Sequence, residues 1–65
     1  MMLIKADDLS KGMVIIERTE RGRISRRIQV AGCGPCGDKH NIHVIPEEGG
    51  TTLCYFRGDS VEISL

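Results

Sequence analysis

Short apolar runs separated by turn residues recur along the whole chain, and no long stretch repeats at the helical period. The first predicted strand covers residues 12–19 and is apolar through Ile16. A tight turn at residues 20–22 leads into a second strand at residues 23–31. The apolar face of this strand consists of Ile24, Ile28 and Val30. Arg26 interrupts that face, so we expect the strand to bend there or to extend past the core.

The second half of the chain gives a similar pattern. Glycine and proline are dense in residues 32–43, GCGPCGDKHNIH, which predicts a loop that overlaps the start of the next strand. That strand covers residues 40–46, and Pro46 ends its pairing. The remaining elements are a turn at 47–50, a strand at 51–57, a turn at 58–60, and a strand at 61–65 with Val61, Ile63 and Leu65 facing inward.

These strands and short turns predict an all-β fold, a small five-stranded SH3-like barrel or sandwich in one domain spanning residues 1–65. Residues 3–12 are expected to hold a short N-terminal helical turn capped by Asp7 or Asp8. A chain of 65 residues is near the lower limit for folding unaided. Cores this small often need a disulfide, a metal or a partner subunit as a staple. The odd number of cysteines, three, argues against a complete disulfide framework, so we expect the thiols to be reduced or metal-bound.

One segment carries a family resemblance. Residues 6–15, ADDLSKGMVI, resemble the opening segment of SH3-like barrels such as the first domain of bacterial elongation factor P. In those domains an Asp-Leu-x-x-Gly turn leads into the first strand. The resemblance covers about ten residues and implies a fold, without implying an activity.

The motif CGPC at residues 33–36 is identical to the dithiol motif of thioredoxins. Redox catalysis by that motif requires the first cysteine at a helix N-terminus within a βαβ unit. The residues that follow, GDKHNIHVIP, predict a turn and a strand. The pattern therefore argues against a redox dithiol.

A zinc site is an alternative use of the same residues. Its predicted ligands are Cys33, Cys36, His43 and Cys54. A four-residue loop at 47–50 places His43 opposite Cys54, whereas a loop one residue longer places Cys54 opposite Val44 in the core. His40 lies three positions from His43, so a regular strand points the two rings to opposite faces. The favoured interpretation has no cofactor, with reduced loop thiols at 33 and 36 and Cys54 as a small buried residue.

Arginine is concentrated between residues 18 and 27. Five arginines lie there against one acidic residue, Glu20, and they are Arg18, Arg21, Arg23, Arg26 and Arg27. Such a hairpin could bind phosphates or an acidic protein surface. The favoured interpretation of the arginines alone is a solvated hairpin whose charges prevent edge-to-edge pairing of exposed strands. Because nine basic and nine acidic residues cancel over the chain and aromatic residues are few, nucleic acid is the less favoured ligand, and a protein partner is expected to contact these arginines or the adjacent cysteine-rich loop.

The remaining expectations concern class and location. The opening residues MMLIKADDLS lack a signal-peptide pattern, and no run approaches the roughly 20 apolar residues of a membrane span, so we expect a cytoplasmic protein without a membrane partner. No constellation of catalytic residues stands out. The sequence therefore predicts a non-catalytic binding module, monomeric or homodimeric, of a kind typical of phage or mobile-element accessory proteins. The alternatives are a nucleic-acid-binding module that uses residues 18–27 and a zinc-stabilised β domain.

Overall fold

The computed structural model describes residues 2–64 and contains six strands and one short 3-10 helix. The strands are β1 (Met2–Lys5), β2 (Val14–Arg18), β3 (Ile24–Cys36), β4 (Asp38–Pro46), β5 (Leu53–Phe56) and β6 (Ser60–Ser64). The 3-10 helix covers Ala6–Asp8. The all-β prediction is confirmed. The predicted inward orientation of Leu65 lies outside the described residues.

All strand pairs are antiparallel, in the spatial order β1-β6-β2-β3-β4-β5. The sheet is open, so the prediction of a closed five-stranded barrel is wrong. Closure would require the edge strands β1 and β5 to pair with each other, whereas each pairs with a single neighbour. The 3-10 helix instead bonds to the turn after β5, through Ala6 N to Asp59 O at 2.8 Å and Asp7 N to Arg57 O at 3.1 Å.

Strand β3 joins the two halves of the sheet. Its residues up to Gln29 pair with β2, and its residues from Val30 onward pair with β4. The predicted loop at 32–43 is therefore wrong, because β3 continues through the glycines and Pro35 to Cys36. Ladder hydrogen bonds use the backbone, which glycine retains. Past Gln29, β3 has a strand partner on one side only, and such edge positions tolerate proline.

The core lies on one face of the folded sheet and receives residues from both halves. Its buried members are Ala6, Leu9, Ile15, Ile28, Val30, Ile42, Val44, Val61 and Ile63. The predicted inward positions Ile28, Val30, Val61 and Ile63 are confirmed. Each of these side chains is at most 7% exposed, so burial explains why these positions are apolar.

Ile24 departs from the predicted apolar face. Glu17 pairs with Arg26 whereas the next residue, Arg18, pairs with Ile24, so Ser25 is an extra residue in β3. A one-residue shift in register moves a side chain to the other face of a sheet. Ile24 therefore lies on the outer face and is 39% exposed. The expected irregularity at Arg26 is thus a β-bulge.

The turns follow the sequence closely. The predicted turn at 20–22 is present, with Gly22 at φ 83°, and β4 ends at Pro46 as expected. The N-terminal helical turn is confirmed as the 3-10 helix. Lys5 is its N-cap, without a side-chain cap hydrogen bond, so Asp7 and Asp8 lie within the turn and do not cap it. The sequence pattern did not predict strand β1.

Candidate functional site

The outer face of β3, β4 and β5 carries the cysteine and histidine residues that the sequence singles out. In the β4–β5 ladder His43 pairs with Cys54, as the four-residue loop predicted. The neighbouring pairs, Ile42 with Tyr55 and Val44 with Leu53, face the core. Cys54 is therefore exposed, and its interpretation as a buried apolar residue is wrong.

Cys36 joins His43 and Cys54 from the third strand. Gly34 of β3 lies opposite His43, and Cys36 follows two residues later on the same face. Since Gly34 has no side chain, the imidazole can lean along β3 toward the thiol. The Cys36 Sγ lies 2.8 Å from His43 Nε2, and the ligand atoms of Cys36, His43 and Cys54 all lie within 4.8 Å of one another.

Cys33 lies apart from this cluster. It pairs with Val44 on the core side of β3, and its Sγ donates a hydrogen bond to the backbone oxygen of Leu9 at 3.0 Å. Positions three apart in a strand point to opposite faces, so Cys33 and Cys36 diverge. The structure thus brings together three of the four predicted metal ligands. His40, at the start of β4, is exposed and is not a member of the cluster.

The chemistry of this cluster is that of two thiols and an imidazole. Thiolates and imidazole are the ligands of Zn²⁺ and other soft or borderline metal ions. Cys36 and His43 are also close enough for a thiol–imidazole hydrogen bond. The CGPC motif itself runs in an extended strand, so the helix that thioredoxin chemistry requires does not follow Cys36.

The five arginines of residues 18–27 separate into two groups. Arg18 forms a two-point ion pair with Glu62, from Nε to Oε1 at 2.7 Å and from Nη2 to Oε2 at 2.8 Å. Arg26 pairs with Glu17, from Nε to Oε1 at 3.0 Å. These two arginines are therefore neutralised locally by acids of β2 and β6.

The other three arginines differ from these two. Among residues 2–64, Arg21, Arg23 and Arg27 form no ion pair with a carboxylate. Arg21 and Arg23 belong to the β2–β3 turn, and Arg27 lies on the outer face of β3 opposite Ile16. Their charges are available to a ligand.

A groove of about 540 Å³ crosses the outer face of β1, β6, β2 and β3. We call it the arginine groove; it is lined by Met2, Leu3, Ile16, Arg18, Ile24, Arg27, Glu62, Ile63 and Ser64. Sequence reasoning identified its arginines but missed Leu3 and Glu62. No local signal could have found them, because β1 and β6 are distant from β2 and β3 along the chain and meet them only in the sheet.

Comparison with known proteins gives no match: no protein-family model, curated protein or solved structure matches this chain. The short resemblance of residues 6–15 to SH3-like barrels therefore has no further support. Within the described residues, no helix is long and apolar enough to cross a membrane.

Proposed function

We propose that this chain is a non-catalytic binding domain whose arginine groove takes up a segment of a partner protein. The segment carries an apolar side chain next to a carboxylate. The observation that supports this proposal is the juxtaposition of exposed apolar side chains with the unneutralised Arg27 in one groove.

Exposed apolar side chains form one part of the groove. Leu3 is 57% exposed, Ile24 is 39% exposed and Met2 is 38% exposed, while Ile16 between them is buried at 8%. Single exposed apolar residues are ordinary on protein surfaces, but several around one groove are typical of interaction sites. A partner side chain would contact Leu3 and Ile24 and cover Ile16.

The polar part of the groove specifies the sign of the partner's charge. The carboxylate of Glu62 is already held by Arg18 at two points, so it does not attract a cation strongly. Arg27 forms no ion pair with a carboxylate of residues 2–64 and lies beside the apolar residues. A guanidinium binds carboxylates through paired hydrogen bonds, so an acidic residue in the partner fits this position.

Nucleic acid is the second candidate, supported by the three unneutralised arginines. Binding of single strands by small β domains commonly uses aromatic side chains beside the basic groove for base stacking. Here Tyr55 and Phe56 lie on β5, which β3 and β4 separate from β2. The formal net charge of the chain is also 0, so no long-range attraction reinforces the arginines. Protein is therefore the favoured partner class.

The groove does not resemble a catalytic pocket. Its lining, as far as residues 2–64 describe it, contains neither histidine nor cysteine. The single hydroxyl in the lining is that of Ser64, and the one carboxylate there, Glu62, is held at two points by Arg18. Acyl transfer requires a nucleophile with a base in hydrogen-bond reach, and no such pair is shown among these residues. These features support binding without chemistry.

The test is selection of random peptides on the immobilised domain, followed by measurement of affinity for the enriched peptides. We expect enriched peptides with an acidic residue next to an apolar one. Arg27→Glu should weaken their binding by about tenfold or more, because it replaces an attractive charge with a repulsive one. Leu3→Ser should weaken it by removing apolar contact.

Matched controls distinguish the groove from general charge. Arg21→Glu changes the net charge equally but lies in the β2–β3 turn, outside the groove lining, so its effect should stay within about threefold. Equal losses for Arg21→Glu and Arg27→Glu would contradict the proposal. A gel-retardation assay with single-stranded DNA or RNA tests the second candidate. Retardation that weakens steeply with salt, and that disappears when Arg21, Arg23 and Arg27 are all changed to alanine, would favour the nucleic-acid function over the protein-binding function.

A further inference from the structure

Beyond the arginine groove, we propose that Cys36, His43 and Cys54 form a binding site for one Zn²⁺ ion on the outer face of β3, β4 and β5. The three residues come from three adjacent strands, and their ligand atoms lie within 4.8 Å of one another. The site is separate from the groove, since none of the three residues lines it.

The spacing of the ligand atoms suits a metal ion after small side-chain rotations. Zinc binds sulfur at about 2.3 Å and histidine nitrogen at about 2.0 Å, so tetrahedral ligands lie roughly 3.5–3.8 Å apart. The Cys36 Sγ to His43 Nε2 distance of 2.8 Å is shorter than this, and the overall limit of 4.8 Å is longer. Both differences are within reach of changes in χ1 and χ2, because His43 and Cys54 are exposed and Cys36 is only partly buried.

The backbone fixes where the side chains of His43 and Cys54 leave the sheet before any metal binds. His43 and Cys54 face each other in the β4–β5 ladder, and His43 faces Gly34 in the β3–β4 ladder. Hydrogen bonding in two ladders holds the positions of their Cα atoms. An ion that binds all three residues therefore also links three strands, which benefits a domain with a small core.

The donor set specifies the class of metal. Two thiolates and one imidazole disfavour Mg²⁺ and Ca²⁺, which prefer oxygen ligands. Zinc takes four ligands, and the protein supplies three within this cluster, leaving a fourth position for water or for a group on a partner. Binding displaces the protons of the two thiols to solvent, with His43 Nε2 donating its lone pair to the metal.

A nucleophilic cysteine is a less suitable use of the same residues. The Cys36–His43 pair has the separation expected of a thiol and its base. However, His43 and Cys54 lie exposed on the sheet surface, and a nucleophile needs a pocket that holds a substrate and excludes water. The placement of a second thiol, Cys54, at the same point favours a metal over a dyad.

The experiment uses the full chain, kept reduced with a phosphine, and titrates it with Zn²⁺ by calorimetry and with Co²⁺ by absorbance. We expect one ion per chain and, for Co²⁺, a thiolate-to-metal charge-transfer band. A hundredfold excess of Zn²⁺ over Kd should raise the thermal unfolding midpoint by about 10 °C or more. Each of Cys36→Ser, His43→Gln and Cys54→Ser should weaken Zn²⁺ binding by more than about tenfold.

Two variants serve as matched controls. Cys33→Ser removes the other thiol of the CGPC motif, whose Sγ donates a hydrogen bond to the backbone oxygen of Leu9. The affinity of this variant for Zn²⁺ should stay within about threefold of the parent value. His40→Gln removes the other histidine with the same expectation. Far-ultraviolet circular dichroism of each variant checks that the sheet is retained.

Three results would overturn the site. One is less than about 0.1 Zn²⁺ per chain in the reduced protein at micromolar metal. A second is a loss of affinity in Cys33→Ser as large as that in Cys54→Ser. The third is zinc binding that is unchanged in His43→Gln, because the imidazole is the ligand that the β4–β5 register places beside Cys54.

Discussion

Arg18 on β2 and Glu62 on β6 are joined by two parallel hydrogen bonds, at 2.7 Å from Nε to Oε1 and 2.8 Å from Nη2 to Oε2. Arg18 also donates from Nη1 to the backbone oxygen of Gly22 at 2.7 Å. One guanidinium therefore ties the β2–β3 turn to β6. These hydrogen bonds from Arg18, followed by its positive charge, hold the pKa of Glu62 below its ordinary value of 4.5.

This ion pair predicts a pH dependence of stability. The pKa of Glu62 is lower in the folded chain than in the unfolded chain. The stabilisation is therefore complete above pH 4.5 and is lost as the pH falls through the pKa of Glu62 in the folded chain. We expect Glu62→Gln to be less stable than the parent at pH 7 and to approach it under acid. Urea unfolding across pH measures this. The control is Glu48→Gln, at an exposed position without an ion pair among the described residues, and its stability should follow that of the parent at each pH. If Glu62→Gln remains less stable than the parent by the same amount in acid, the ion pair with Arg18 is not the cause of the difference.

Tyr55 predicts a second titration, at alkaline pH. Burial, and then the negative charge of Glu17, raise the pKa of Tyr55 above its ordinary value of 10.0. The stabilisation from protonated Tyr55 is complete below pH 10.0 and is lost as the pH rises through the pKa of Tyr55 in the folded chain. Since the chain has one tyrosine and no tryptophan, tyrosinate absorbance follows this group alone.

We expect the tyrosinate midpoint to lie above 10.0 in the folded chain and to return to about that value in concentrated urea. Glu17→Gln should lower the folded midpoint in part, because burial remains. Glu20→Gln, in the β2–β3 turn, is the control and should leave it unchanged. Identical midpoints in folded and unfolded protein would show that Tyr55 is not packed against the core.

Val44 and Ile45 are adjacent residues of β4 on opposite faces of the sheet, with exposures of 0% and 52%. Val44→Ala should lower the free energy of unfolding by about 2 kcal/mol or more, since it removes buried methyl groups and leaves a cavity. Ile45→Ala should cost less than about 1 kcal/mol. Urea unfolding with fitted m-values measures both. A larger cost for Ile45→Ala than for Val44→Ala would indicate that β4 is paired in a register shifted by one residue.

Gly22 ends the β2–β3 turn with φ 83°, and its backbone N–H donates to Thr19 O at 2.9 Å. A side chain at this φ is strained, so Gly22→Ala should destabilise the chain by roughly 1–2 kcal/mol. Gly58→Ala is the matched control, because Gly58 has no positive φ and an added Cβ meets nothing within 4 Å. Its stability should change by less than about 1 kcal/mol, in the stabilising direction. A lower thermal unfolding midpoint for Gly58→Ala than for Gly22→Ala would contradict the turn geometry.

The sequence determined the features that depend on neighbouring residues. Alternation identified most of the strands and the inward residues Ile28, Val30, Val61 and Ile63, because burial on one face of a strand imposes a period of two. A four-residue loop at 47–50 predicted the pairing of His43 with Cys54, and the structure shows that pairing, although β5 itself begins only at Leu53.

The tertiary structure decided what depends on distant pairing. Strand β3 continues through CGPC because β4 supplies backbone partners there, and composition alone does not reveal those partners. That continuation sends Cys33 and Cys36 to opposite faces, leaving three predicted ligands together and one apart. Likewise Glu62 and Arg18 are 44 residues apart in the sequence, and they form an ion pair only because β6 pairs with β2. Local patterns specify which face a side chain occupies, whereas the order of strands in the sheet specifies which side chains share that face.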